Sequence, residues 1–359
     1  MTYTVKNAVI DGEKKNVVIK DGIIESVGSA VCGEEVDFGG DTVIPGLLDM
    51  HTHGRNGIDF INADKDGITA LKKKYAEAGT TAFIPTLATD TLEKMLSQVG
   101  FLSDMGFPVC HIEGRYLNPE KSGAHAKELI KPMTEEEIRL FSEYAGKMKL
   151  HFSASYELFP DMLGKVHEYG HTAGLAHTLC NYSQAEKLIA GGLDSFTHLF
   201  NCMPQIHHRD GGCVTAALTS SVPAEIISDG LHLSPEIVRL TYRTKGDDGV
   251  VLITDSLECA GCPEGKYSVA GTEVTLKNGE ARTPTGNLAG SVIALFDGVK
   301  RFASFTGISV AKAAKLASEN PARVFGLKYG KIAPGYPADF IRLDCGENIK
   351  TVYKDGKAV

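Results

Sequence analysis

Six side chains of metal-ligand type each stand at or near the end of a short apolar run. His51 and His53 close TVIPGLLDMHTH, Glu113 sits in VCHIEG, His177 follows HTAGLA, His198 ends DSFTH and Asp255 ends VVLITD. Imidazole and carboxylate donors in that mixture suit a divalent cation with an open position for water, the usual equipment for hydrolysis. In an extended strand residues i and i+2 point to the same side, so His51 and His53 can reach one ion. An isolated H-x-H arises easily by chance. Placed after Ile-Pro-Gly-Leu-Leu-Asp and before Gly54, it is a more specific signal.

Residues scattered over some two hundred positions need a scaffold that gathers them. Eight apolar runs qualify as strands: VIPGLLDMHTH, TTAFIPTLA, VCHIEG, LHFSASYE, HTAGLAHT, DSFTHLF, AEIISDG and VVLITDS. Helix-length segments separate most of them, a rhythm that predicts parallel strands with crossovers. A (β/α)8 barrel of TIM type opens all its strand C-termini onto one face, where active sites form. Helices are expected over residues 66–78, 134–147, 183–190 and 309–317, with Thr134 and Ser183 as N-caps. Both chain ends alternate with strand-like period two, so a small β-sandwich domain built from residues 1–45 and 331–359 is expected. The barrel would then occupy residues 46–330, with a hairpin insertion around 266–288 marked by Asn278-Gly279.

The chain has 359 residues, 43% hydrophobic and 23% charged, ordinary for a globular protein. A net charge of −8 argues against general nucleic-acid binding, which needs a basic footprint. No apolar stretch approaches the ~20 residues of a membrane span. MTYTVKNAVIDGEKK lacks an apolar signal-peptide core, so a cytoplasmic location is expected. The eight cysteines are expected to be reduced thiols. Cys259 and Cys262 form a C-x-x-C without a second pair to complete a zinc site. His111, His151, His167 and His171 start or precede strands and read as satisfied core residues.

The pattern PGLLDMHTHG resembles the amidohydrolase superfamily. HIEG…LNPEKSGAH, AHT, THLFNCM…HHR, SDGLH, ITDS…AG and NLAGS resemble, within it, the N-acetylglucosamine-6-phosphate deacetylase family. The likeness runs nearly end to end, through SENPARVFGL…GKIAPGYPADF. It implies that Glu113, His177 and His198 hold one divalent metal, zinc foremost with iron as the alternative. Retention of His51 and His53 leaves room for a second ion between them and Asp255. It also implies that Asp255 carries the catalytic proton transfer, taking a proton from water and delivering it to the departing amine. His125 and His198 would position the substrate amide. Asn201, Cys202, Arg209 and His232 would bind the rest of an amino-sugar phosphate, with Arg209 reaching the neighbouring subunit of a homodimer.

Three stretches depart from the family pattern. Glu-Gly-Pro is here Glu113-Gly114-Arg115, Ala-Pro-Glu is replaced by Ala154-Ser155-Tyr156-Glu157, and paired glycines give way to Gly54-Arg55-Asn56-Gly57. Arg55 and Arg115 are expected to face solvent. The sharper alternative is that they recognise an additional anionic group, such as the lactyl carboxylate of a muramic acid phosphate. Two other functions stay open: hydrolysis of another N-acyl amino-sugar phosphate, including the galactosamine epimer, and a non-catalytic sugar-phosphate sensor.

Overall fold

The segments Leu47–Thr52 and Val109–Glu113 are buried at every position in the computed structural model, which describes residues 2–159 and 161–359. A strand buried on both faces belongs in a parallel sheet covered by helices. Eight such strands form the central sheet: β1 (Leu47–Thr52), β2 (Thr80–Ala88), β3 (Val109–Glu113), β4 (Lys149–Ala154), β5 (Thr172–Leu175), β6 (Ser195–Phe196), β7 (Ala224–Ile227) and β8 (Val250–Ile253). They pair in sequence order, every pair parallel. Its two edges meet where Thr52 bridges Ser256 and the Asp255 N–H donates to the His51 carbonyl at 2.9 Å. This is the expected (β/α)8 barrel.

Helices return the chain between strands. Lys65–Glu77 begins at Asp64, whose carboxylate accepts the Gly67 N–H at 2.8 Å, and Glu135–Ala145 begins at Thr134 as expected. The helix Tyr182–Ala190 corrects an expectation, because its N-cap is Asn181 rather than Ser183. Both residue types cap well. Gln184, three residues after Asn181, closes a reciprocal capping box and decides between them. Beyond Ser309 the short helix Val310–Lys315 gives way to Glu319–Phe325, whose first turn takes up Pro321.

Barrels of this kind are usually filled by branched apolar side chains. Below the site this one sets a polar layer among apolar residues such as Ile84, Val109, Val251 and Ile253. His111 Nε2 lies 2.6 Å from Ser153 Oγ, which lies 2.7 Å from Thr197 Oγ1. His151 bonds Thr172 Oγ1 and Ser195 Oγ, each at 3.0 Å. A β-carbon at Gly174 would stand 2.6 Å from Ser195 Oγ, so the glycine leaves the room this network needs.

The chain ends build the small sandwich. Thr2–Ile10 pairs with Glu13–Lys20 and Glu34–Asp37, and Ile23–Gly28 flanks the sheet. The second sheet joins Val43–Pro45 to Phe340–Leu343, Ile349–Lys354 and Lys357–Ala358. Val5, Ile19, Phe38 and Phe340 share one core, so neither terminus buries its apolar face without the other. The insertion after β8 is larger than a hairpin. Gly265–Val269, Thr272–Lys277, Glu280–Arg282 and Leu288–Gly290 form a four-stranded antiparallel meander. Asn278 and Gly279, at φ 52° and 75°, make one of its turns.

Candidate metal centre and active site

Strand polarity carries all six metal-type residues to one end of the barrel. Glu113, the last residue of β3, lies at the centre. Its Oε2 is 3.2 Å from His51 Nε2 and 2.8 Å from His53 Nε2. Its Oε1 is 2.8 Å from His198 Nε2 and 3.3 Å from His177 Nε2. Asp255 Oδ1 approaches His51 and His53 at 3.4 and 3.2 Å. One carboxylate is thus set between two histidine pairs, with a second carboxylate closing one side. His51, His53, Glu113 and Asp255 offer donor atoms within 4.8 Å of one another, as do Glu113, His125 and His177.

The backbone makes a costly contribution here. His177, His198 and Asp255 each stand two residues past a strand end and adopt φ values of 40°, 29° and 49°. Left-handed conformations at non-glycine residues are uncommon and concentrate at functional sites.

Two histidines have their tautomers set from behind. His51 Nδ1 lies 3.0 Å from Glu225 Oε2, and His177 Nδ1 lies 2.6 Å from the Lys121 carbonyl. Both oxygens only accept, so Nδ1 of each ring carries a proton and Nε2 is the atom turned to Glu113, where it can hold a second proton or a cation. Burial works to lower the basicity of these rings, but the charges around them prevail. Glu113 and Asp255 raise His51 well above its usual value and His53 to about 9. Cys202 and Glu113 raise His177. Burial works in the opposite sense on Glu113, yet the surrounding imidazoles hold it well below the carboxylate range. Asp255 is likewise lowered by His51 and His53 against its burial. The carboxylates therefore draw positive charge into a buried site, and a divalent cation answers the same demand. Four imidazoles and two carboxylates fit such an ion chemically.

Above this floor opens a cavity of 810 Å³, lined by His125, Asn201, Cys202 and His232 as well as His53, Glu113, His177, His198 and Asp255. Burial pushes His125 down to about 3. Asn201 donates its amide to the His198 carbonyl at 3.1 Å. Asp229 organises the turn before His232: it accepts the Leu231 and His232 N–H groups at 2.8 Å and lies 2.7 Å from His232 Nδ1. The thiol of Cys202 would be raised by burial, but adjacent His177 lowers it overall.

Some expected residues are not gathered. Arg209 lies exposed in a turn, 2.6 Å from His208 Nε2, and does not line the cavity of its own chain. Neither Arg55 nor Arg115 lines it. Arg55 donates to the Ile293 carbonyl at 3.2 Å. Arg115 overturns the expectation of solvent exposure. It is 8% exposed and pairs with Glu137 at 2.9 Å. At φ 62° the chain lays this side chain against the helix Glu135–Ala145, and a buried guanidinium needs a counter-charge.

Other contributors went unseen in the sequence. Glu225, inside β7, was hidden within an otherwise apolar run, although a charge buried there was itself a signal. Thr89 and Arg282 carried no local signature, and Asn287 stood in the NLAGS motif without a role assigned to it; Arg282 and Asn287 line the cavity.

Residues 42–359 match the model of the amidohydrolase family. The chain is 28% identical to an N-acetylgalactosamine-6-phosphate deacetylase from Escherichia coli O157:H7, covering 94% of this chain and 93% of that one. It is 30% identical to an N-acetylglucosamine-6-phosphate deacetylase from Danio rerio, over 90% of this chain and 86% of the relative. Its fold is similar to the crystal structure of N-acetylglucosamine-6-phosphate deacetylase from Thermotoga maritima, with a TM-score of 0.90, 30% identity and 99% of each chain covered.

Proposed function

Because the chain belongs to the amidohydrolase family, we propose that it hydrolyses the N-acetyl group of N-acetylglucosamine-6-phosphate to give glucosamine-6-phosphate and acetate. The observation that carries this reading is Glu113 set between two histidine pairs, beside Asp255, on the floor of an open cavity. Glu113, His177 and His198 hold one divalent ion, with zinc the first choice and iron the second. His51, His53 and Asp255 provide for another.

A bound divalent ion supplies polarisation of the acyl oxygen and a more acidic water. Asp255 accepts the proton of the attacking water and passes it to the nitrogen as the C–N bond breaks. Such transfers contribute ~10²–10⁴-fold. His125 and His198 orient the amide. Asn201, Cys202 and His232 bind the sugar phosphate, and Arg209 of a second copy completes the anion site in a homodimer. A planar guanidinium matches phosphate oxygens, and the exposure of Arg209 leaves it free to cross.

The similarity to a galactosamine-6-phosphate deacetylase favours a second reading, the epimeric substrate on the same machinery. Acetate release by zinc-loaded protein tests both, with each epimer, the unphosphorylated sugar and chelator-stripped protein run in parallel. Release that depends on metal and phosphate supports the proposal, and the ratio between epimers chooses the substrate. Bound metal with no acetate from any sugar phosphate would leave a sensor instead.

A further inference from the structure

Thr89 stands one residue beyond β2 and makes three contacts at once. Its Oγ1 accepts the Arg115 N–H at 3.1 Å and lies 2.8 Å from His125 Nδ1. Its own backbone N–H reaches the same Nδ1 at 3.3 Å. A backbone N–H can only donate, so His125 Nδ1 is an acceptor and carries no proton. With Arg115 donating to the Thr89 oxygen, the hydroxyl hydrogen turns to Nδ1 as well. The ring proton therefore resides on Nε2, the atom 3.7 Å from Glu113 Oε2.

This assignment separates His125 from its neighbours. Glu113, His125 and His177 lie close enough to share an ion. The ring that keeps a proton on Nε2 and accepts on Nδ1 has no lone pair to give a metal. His177 is wired the opposite way, with Nδ1 facing the Lys121 carbonyl. The local sequence also accommodates the arrangement. A β-carbon at Gly114 would lie 2.4 Å from Thr89 Oγ1 and 2.5 Å from its backbone nitrogen, so only glycine after Glu113 lets Thr89 dock.

We propose that Thr89 is a positioning residue that fixes His125 as a neutral Nε2–H donor to the acyl oxygen of the substrate rather than as a metal ligand. The substrate half of this statement rests on the deacetylase reading above; the tautomer does not.

The test uses zinc-loaded protein labelled with ¹⁵N-histidine, with the His125 signals identified by their loss in His125→Gln. Two-bond proton–nitrogen spectra should show an unprotonated Nδ1 and a protonated Nε2. A proton on Nδ1, or an Nε2 shifted by metal coordination, would overturn the proposal. In kinetics, Thr89→Val should lower kcat by about tenfold, the worth of one hydrogen bond, with KM changed by less than about twofold. Thr89→Ser, which keeps the hydroxyl, should restore kcat. A Val variant with unchanged kcat would refute the positioning role. Absence of acetate release by the wild type would defeat the deacetylase reading, and the spectrum would still decide the tautomer.

Discussion

On the proposed metal-dependent reading, removing Glu225 should loosen the centre without touching any of the six donor side chains. Its Oε2 receives both His51 Nδ1, at 3.0 Å, and the His198 backbone N–H, at 3.2 Å. One oxygen therefore orients the first histidine of the H-x-H pair and the strand end that carries His198. Its Oε1 is buried without a partner, so the whole value of the side chain lies in those two bonds. Glu225→Ala leaves two buried donors unmet, at ~1–3 kcal/mol each. Loss of an orienting partner behind a ligand lowers metal affinity by ~10–100-fold, equivalent to about 1.4–2.7 kcal/mol. Glu225→Gln keeps an accepting oxygen but loses the charge and buries an amide where Oε1 finds no partner. Metal affinity should thus fall in the order wild type, Gln, Ala. Competition with a chromophoric chelator reads it directly, with ions per chain counted in parallel. An Ala variant that held its metal as tightly as the wild type would refute the reasoning.

Arg115→Ala should destabilise the fold by about 1–3 kcal/mol, because it leaves the partly buried Glu137 carboxylate without its partner. Denaturant unfolding measures this, and the relative turnover of N-acetylglucosamine-6-phosphate and its lactyl ether should stay unchanged; an altered ratio would return Arg115 to substrate recognition. His171 is held neutral by burial, with its folded pKa lowered from 6.5 to about 4. The unfolded chain then binds the proton first, so this residue's share of stability is present above pH 6.5 and lost as pH falls toward 4. His171→Gln should flatten the stability profile across that window, and an unchanged slope would count against the assignment. Lys245 Nζ donates to the carbonyls of Ala217, Ser220 and Val222 at 2.8, 2.7 and 2.6 Å, tying down the end of the helix Gly212–Thr219. Lys245→Met should lower stability by about 1.5–3 kcal/mol, and calorimetry showing no fall in Tm would contradict it.

Much of the centre was legible in the chain. Parallel barrel strands all end on one face, so residues at strand ends converge whatever their separation in sequence. That is why His51, His53, Glu113, His177, His198 and Asp255 could be named before any fold was seen. Turn chemistry was equally local: Asn278-Gly279 marked the insertion, and Thr134 marked a helix start. What surrounds these six side chains was not legible. Glu225 and Thr89 act through partners 174 and 36 residues away, His51 and His125. Arg115 owes its burial to a glutamate on a helix packed against it. The choice of Asn181 over Ser183 turned on which side chain Gln184 could answer. Residue type and spacing determine which donors can meet, because strand polarity and period are properties of the backbone. Which nitrogen of each imidazole carries the proton was left to tertiary packing, because the acceptor or donor behind each ring comes from a distant part of the chain.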